Sequence, residues 1–155
     1  MKIKVLSVFD TFEYVMDHYT PVGCEEEAIN NDTYAVISIQ DTHYDGFGLE
    51  FKENEFCKGV LTLYFDDIDK KVKDAVLFDD DMALKIIEFV DKYDGEVDTI
   101  VVHCYAGQSR SRAVGGFVNY MVGFDNTELI KYGHPNMFIY KTLMKAYKKW
   151  SKNKM

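Results

Sequence analysis

Residues Ile3-Lys4-Val5-Leu6-Ser7-Val8-Phe9 place apolar and polar side chains in near alternation, the period of a strand with two unlike faces. Two further runs, 34–39 and 60–65, are short and rich in β-branched and aromatic residues. Both close on polar positions, so each is predicted as a strand. Thr99-Ile100-Val101-Val102-His103-Cys104 is apolar enough to be buried on both faces, as a central strand is. Elsewhere the period lengthens to that of a helix. Met82, Leu84, Ile86, Ile87, Phe89, Val90 and Tyr93 form a stripe behind Asp79-Asp80-Asp81 and before Gly95. That acidic run reads as an N-cap and dipole complement in preference to a metal site. Ala113, Val114, Phe117, Val118, Met121 and Val122 share one face of a helix that opens at Arg110 and ends near Gly123. Pro135 suits the first turn of a last helix with Phe138, Leu143, Tyr147 and Trp150 inward. Shorter helices are expected after Thr11 and after Asn126. Strands alternating with helices predict an α/β fold, a central mixed or mostly parallel sheet of about four to five strands flanked by helices.

Composition narrows the class. The chain has 155 residues, 47% hydrophobic, with 11 Phe and 11 Tyr, which suits a packed core and argues against disorder. With no repeat, linker or low-complexity block, residues 1–155 are expected to form one domain. No apolar run reaches the roughly 18 residues of a membrane span, and the apolar stretch before Asp10 is too short for a signal peptide. Three cysteines, Cys24, Cys57 and Cys104, without a C-x2-C pair, fit a reduced, cytoplasmic protein better than a disulfide scaffold or zinc site. His18, His43 and His134 have no spacing that suggests a metal, so neither a metal nor another cofactor is expected. A net charge of −8 argues against nucleic acid as a partner. Residues 141–155 carry six lysines and no acid. These read as a solvated helix end that complements its own dipole, in preference to a membrane-facing stripe.

Arginine usage singles out one segment. Of 18 basic residues only Arg110 and Arg112 are arginines, within three residues of each other, in a chain that otherwise uses lysine. Arginine differs from lysine in its planar fork, which grips phosphate or carboxylate bidentately. The segment reads His103-Cys104-Tyr105-Ala106-Gly107-Gln108-Ser109-Arg110-Ser111-Arg112. A cysteine ends a buried strand, five residues follow, and an arginine opens a helix. The backbone N–H groups of Tyr105, Ala106, Gly107, Gln108 and Ser109 are expected to converge into an anion-binding nest at the helix N-terminus. Gly107 suits a turn conformation most side chains resist. Arg110 closes the cradle, and Ser111 can donate its hydroxyl proton to sulfur. A cysteine inside such a cradle is in a setting that favours the thiolate. The chemistry this predicts is transfer of a phosphoryl group to sulfur and then to water, with fixed donors in place of a metal.

The run His103-Cys104-x5-Arg110-Ser111 resembles the signature of the cysteine-dependent protein tyrosine phosphatase superfamily. Its Ala-Gly-x-Ser-Arg-Ser version is most similar to the small dual-specificity branch. The resemblance extends weakly from 34 to 150, through Val36–Ile39, Phe65-x-Asp67 and Pro135-Asn136. It implies a phosphatase-like three-layer fold with Cys104 as nucleophile, Arg110 as phosphate grip, Ser111 as loop hydroxyl and His103 as a residue that orders the loop. It also implies a general acid on the loop that begins Phe65-Asp66-Asp67-Ile68-Asp69. Asp67 is the choice, 37 residues before Cys104, with Asp66, Asp69 and Asp74 as alternatives. The implied substrate is a phosphorylated protein or peptide, phosphotyrosine first, with phosphoserine and phosphothreonine open. RNA 5′ ends, phosphoinositides and binding without turnover are the rival readings. Gln108 stands where inositide-directed relatives carry Lys or Arg. Arg112 is expected on the helix surface, and Cys24 and Cys57 as structural residues, with a resolving role toward Cys104 as the alternative.

Overall fold

A computed structural model describes residues 1–19, 30–43, 46–48 and 50–154. Four strands, β1 (Lys2–Leu6), β2 (Tyr34–Gln40), β3 (Cys57–Tyr64) and β4 (Thr99–His103), form one parallel sheet in the order β1-β4-β2-β3. The helices are α1 (Val8–Met16), α2 (Asp80–Tyr93), α3 (Arg110–Val122), α4 (Thr127–Lys131) and α5 (Met137–Lys154). β2 and β4, the two runs without exposed positions, take the centre, because a strand flanked by strands and covered on both faces has no solvent side. β1 and β3 keep a partly exposed pattern and lie at the edges.

The two faces of the sheet differ. Ala35, Ile37, Ile39, Ile100 and Val102 point toward the larger core. They pack there with Ile86, Ile87 and Val90 of α2, Val114 and Phe117 of α3, and Ile139 and Leu143 of α5. Tyr34, Val36 and Val101 point the other way, against Tyr14 of α1. The result is the three-layer arrangement expected of the alternating pattern. The lysine-rich α5 thus has a buried side, and among the described residues no helix is long and apolar enough to cross a membrane.

Several expected boundaries move, each for a local reason. The first strand stops at Leu6, not Phe9, and the helix expected after Thr11 already starts at Val8. Ser7 ends the strand, because its hydroxyl accepts the Asp10 N–H at 3.0 Å and so caps α1. Phe9 consequently faces outward. The third strand runs Cys57–Tyr64 and leaves Phe65 just beyond it. Asp79 caps α2 by accepting the Met82 N–H at 2.9 Å, as the acidic run suggested. Leu84 falls off the buried stripe and is exposed, while Ala83 is buried. The last helix begins at Met137, two residues past Pro135. Ile139 and Leu143 point inward; Phe138, expected to be buried, instead lines a surface cleft with Asp67.

Candidate active site

All four strands are parallel, so their carboxyl ends lie along one edge, where ligands of such sheets bind. His103 is level with Leu6 of β1 and Ser38 of β2. The segments that leave the sheet there, beginning at Ser7, Asp41, Phe65 and Cys104, therefore meet.

Cys104 is buried, with Sγ 3.1 Å from Ser111 Oγ in the first turn of α3. Between them the chain makes its tight turn at Gly107, where φ is +75°. A side chain there is excluded twice over. The conformation strains L residues, and a Cβ would lie 2.8 Å from the Leu6 carbonyl carbon and the Ser7 nitrogen. The Tyr105 carbonyl accepts the Val8 N–H at 3.0 Å, which ties the loop to α1. Among the described residues, no acceptor engages the backbone N–H groups of residues 105–109. Ser109 makes no side-chain cap on α3, so the helix adds its own open N–H groups to the cradle.

Arg110 is almost fully buried, and one of its nitrogens carries both anchors. Nη1 donates to the Phe65 carbonyl at 2.9 Å and lies 2.9 Å from Asp41 Oδ1. Both anchors, one hydrogen bond and one ion pair, engage Nη1, which leaves the Nε–Nη2 edge without a partner among the described residues and able to act as a bidentate fork. Asp41, immediately beyond β2, was not foreseen in the sequence. Its only local signal is an acid directly after a buried strand, and that is common.

His103 orders the loop through a directional chain. Its Nδ1 faces the Cys104 carbonyl at 3.0 Å and so must carry the proton. Nε2 then accepts from Ser38 Oγ at 2.6 Å, and Ser38 accepts from Gln40 Nε2 at 2.8 Å. Burial pushes the imidazole down to about 4; the bond to the Cys104 carbonyl opposes this and the Arg110 charge adds to it. His103 is therefore neutral near pH 7.

The candidate acids separate clearly. Asp67 Oδ1 accepts from Ser109 Oγ at 2.8 Å and from Asn136 Nδ2 at 2.9 Å, which places this carboxyl at the rim of the loop with Oδ2 still available. Asp66 points elsewhere: it accepts from Thr42 Oγ1 at 2.8 Å and from the Val76 N–H at 2.7 Å. Partial burial would raise its carboxyl, and those bonds overcome the effect and hold it below the ordinary range. Asp74 has φ +62° in an exposed turn, and Asp69 lines the same cleft as Asp67 without joining the loop. Asn136, just ahead of α5, does more than start a helix. Its side chain also donates to the Ile68 carbonyl at 3.1 Å and its N–H to the Ser109 carbonyl at 3.2 Å, so it fastens the acid-bearing segment to the loop.

For Arg112 the expectation changes, and for Cys57 an alternative is removed. Arg112 does not simply lie on the helix surface: Nη2 donates to the carbonyls of Glu128 at 2.7 Å and Tyr132 at 3.0 Å, clamping the segment that leads to Asn136. Cys57 cannot resolve an oxidised Cys104. It is level with Tyr34 and Thr99 at the opposite end of the sheet, five residues and so about 16 Å away. Burial pushes its thiol up to about 11. Cys24 lies outside the described residues.

Comparison with solved structures agrees with this topology. The human tyrosine phosphatase-like serine/threonine/tyrosine-interacting protein is 17% identical, with a TM-score of 0.53 over 76% of this chain and 78% of that one. PTPMT1, crystallised in complex with PI(5)P, is 17% identical, with a TM-score of 0.56 over 99% of this chain and 95% of its own. No family model matches the chain, and no curated protein matches it in sequence. The fold is that of the cysteine-based tyrosine and dual-specificity phosphatases.

Proposed function

We propose that this chain is a single-domain, metal-independent phosphatase that hydrolyses phosphotyrosine in proteins through a phosphocysteine. The observation that carries the reading is Cys104 seated 3.1 Å from Ser111 Oγ at the start of a loop whose N–H groups have no acceptor among the described residues, with Arg110 held there through Nη1. In the first step the Cys104 thiolate attacks phosphorus as the bond to the tyrosine oxygen breaks. Asp67 supplies the proton that oxygen needs, and the loop N–H groups with the Arg110 fork hold the equatorial oxygens. In the second step water attacks phosphorus, Asp67 takes its proton, and the S–P bond breaks. The Ser111 hydroxyl stabilises the departing thiolate.

A phosphoinositide is the second reading, since PTPMT1 was crystallised with PI(5)P. Residues 105–109 bring no lysine or arginine to grip additional phosphates, which favours a monophosphorylated protein side chain. The test is release of phosphate from an aryl phosphate, a phosphotyrosine peptide and a phosphoinositide by the wild type and Cys104→Ser. Turnover of the first two, lost in Cys104→Ser while inorganic phosphate still binds, is the expected result. Substantial activity in Cys104→Ser overturns the mechanism. A preference for the inositide overturns the substrate, and a burst without turnover marks a binding module.

A further inference from the structure

Helix α1 buries Val8, Thr11 and Tyr14, and the side it turns to solvent carries three large apolar residues beside its two acids. Phe9 is 64% exposed, Phe12 46% and Met16 50%. At positions i, i+3 and i+7 they form one stripe, about 10 Å long at 1.5 Å rise per residue. Scattered exposed apolar residues are ordinary, but a contiguous stripe on one short helix marks a contact surface. This stripe is continuous with the catalytic loop. The Phe9 ring meets the Tyr105 ring edge-on at 5.7 Å, Tyr105 is itself 51% exposed, and Tyr105 is the residue after Cys104.

Charge indicates what the stripe receives. Asp10 and Glu13 lie on the same exposed side, and α1 contains no basic residue. A helix that lies on an anionic membrane carries Lys or Arg beside its apolar face, and this one carries the opposite sign on a chain of net charge −8. A basic, apolar polypeptide is the complementary partner. An extended peptide advances about 3.3 Å per residue, so about three residues span Phe9 to Met16.

We propose that the outer face of α1 is a substrate-docking ledge. With a phosphotyrosine in the Cys104 cradle, it seats apolar side chains that follow within a few residues, and Asp10 and Glu13 select lysine or arginine between them. This rests on the phosphotyrosine reading and adds the sequence context that reading leaves open.

The experiment compares three substrates, an aryl phosphate, a phosphotyrosine peptide followed by alternating Leu and Lys, and the same peptide with Ser for Leu. It uses the wild type and a Phe12→Ser/Met16→Ser double variant, both outside the catalytic machinery. The wild type should favour the Leu peptide about tenfold in kcat/KM, the scale of burying one apolar side chain. The double variant should lose that preference and keep its aryl-phosphate kcat/KM. Peptide affinities measured in a Cys104→Ser background test the ledge even where turnover fails, so failure of the chemistry and failure of the ledge are separable. Equal use of both peptides by the wild type overturns the proposal, as does a preference that survives in the double variant. It is also overturned if the two substitutions abolish binding to anionic vesicles or self-association and leave peptide selection intact.

Discussion

The two ends of the sheet hold polar clusters of similar size and opposite character. At the amino-terminal end, Asp32 accepts from the Tyr14 hydroxyl, from Thr99 Oγ1 at 2.7 Å and from His18 Nε2 at 2.8 Å. His18 Nδ1 lies 2.8 Å from the Tyr14 carbonyl, so the ring has partners on both sides. At the carboxyl-terminal end the bonds are one-sided. Arg110 is fixed through Nη1 alone, Asp67 through Oδ1 alone, and the N–H groups of 105–109 have no acceptor among the described residues. Buried polar groups with full partnerships stabilise and specify a fold, whereas donors held in place with capacity unused are prepared for a ligand. What separates scaffold from site in this molecule is how many hydrogen-bond positions remain open, not how many titratable residues gather.

That contrast can be broken most visibly at Asp67. If the open Oδ2 carries the proton for the leaving group, Asp67→Ala should slow phosphotyrosine-peptide hydrolysis by about 10²-fold. An activated aryl ester, whose leaving oxygen needs little protonation, should lose far less. Steady-state rates across esters of graded leaving-group pKa would display this as a steeper dependence in the variant. A leaving-group effect in Asp69→Ala and none in Asp67→Ala would move the acid two residues along.

A smaller effect is expected at Asp41, the carboxylate paired with Arg110. Asp41→Ala removes the carboxylate paired with Nη1 and lets the Arg110 guanidinium turn, so KM for an aryl phosphate should rise about fivefold, the upper end for a partly exposed ion pair. Asp41→Asn keeps the shape but removes the charge of the pair, and should show most of the same defect. Full activity in Asp41→Asn, or tighter phosphate binding in either variant, would show that the position of the Asp41 side chain matters in place of its charge.

Asp41 also marks the limit of what was readable in the chain. The loop from His103 to Ser111 could be read as one unit because its residues are contiguous: Cys104, the turn glycine Gly107, Arg110 and the start of α3 follow one another within nine residues. Asp41 reaches Arg110 only because β2 and β4 are neighbours in the sheet, and nothing local to residue 41 announces that pairing. Asn136 was seen as a helix start, and its bonds to Asp67 and Ile68 depend on how α5 docks. The misplaced start of α1 is a different failure. Ser7, followed three residues later by Asp10, is a legible capping signal that the apolar alternation through Phe9 outweighed. Phe138 and Leu84 show a third kind, in which a helical stripe predicts how many residues point inward more reliably than which of two neighbours does.

The smallest effect on catalysis belongs at the saturated end. Tyr14→Phe removes one of three donors to Asp32 and leaves the ring packed edge-on against Tyr34 at 5.3 Å. It should cost about 1.5–3 kcal/mol of stability, the range for a bond to a charged group, and leave kcat for an aryl phosphate unchanged. The acid side carries a signature with a definite sign. Partial burial would raise the Asp32 carboxyl, but the bonds from Tyr14, Thr99 and His18 overcome it and hold the group below the ordinary carboxylate range. A carboxyl lowered by folding contributes stability that is fully present above its unfolded value near 3.9 and is lost as pH falls through its folded value. Removing the Tyr14 donor moves the folded value back toward the unfolded one. The difference in unfolding free energy between wild type and Tyr14→Phe should therefore be constant from pH 5 to pH 7 and shrink as the pH falls below about 4. Denaturant melts at a series of pH values would measure it. A difference that stays constant down to pH 2, or a fall in kcat at pH 7, would mean that Asp32 is not the partner through which Tyr14 acts, or that the two ends of the sheet are not independent.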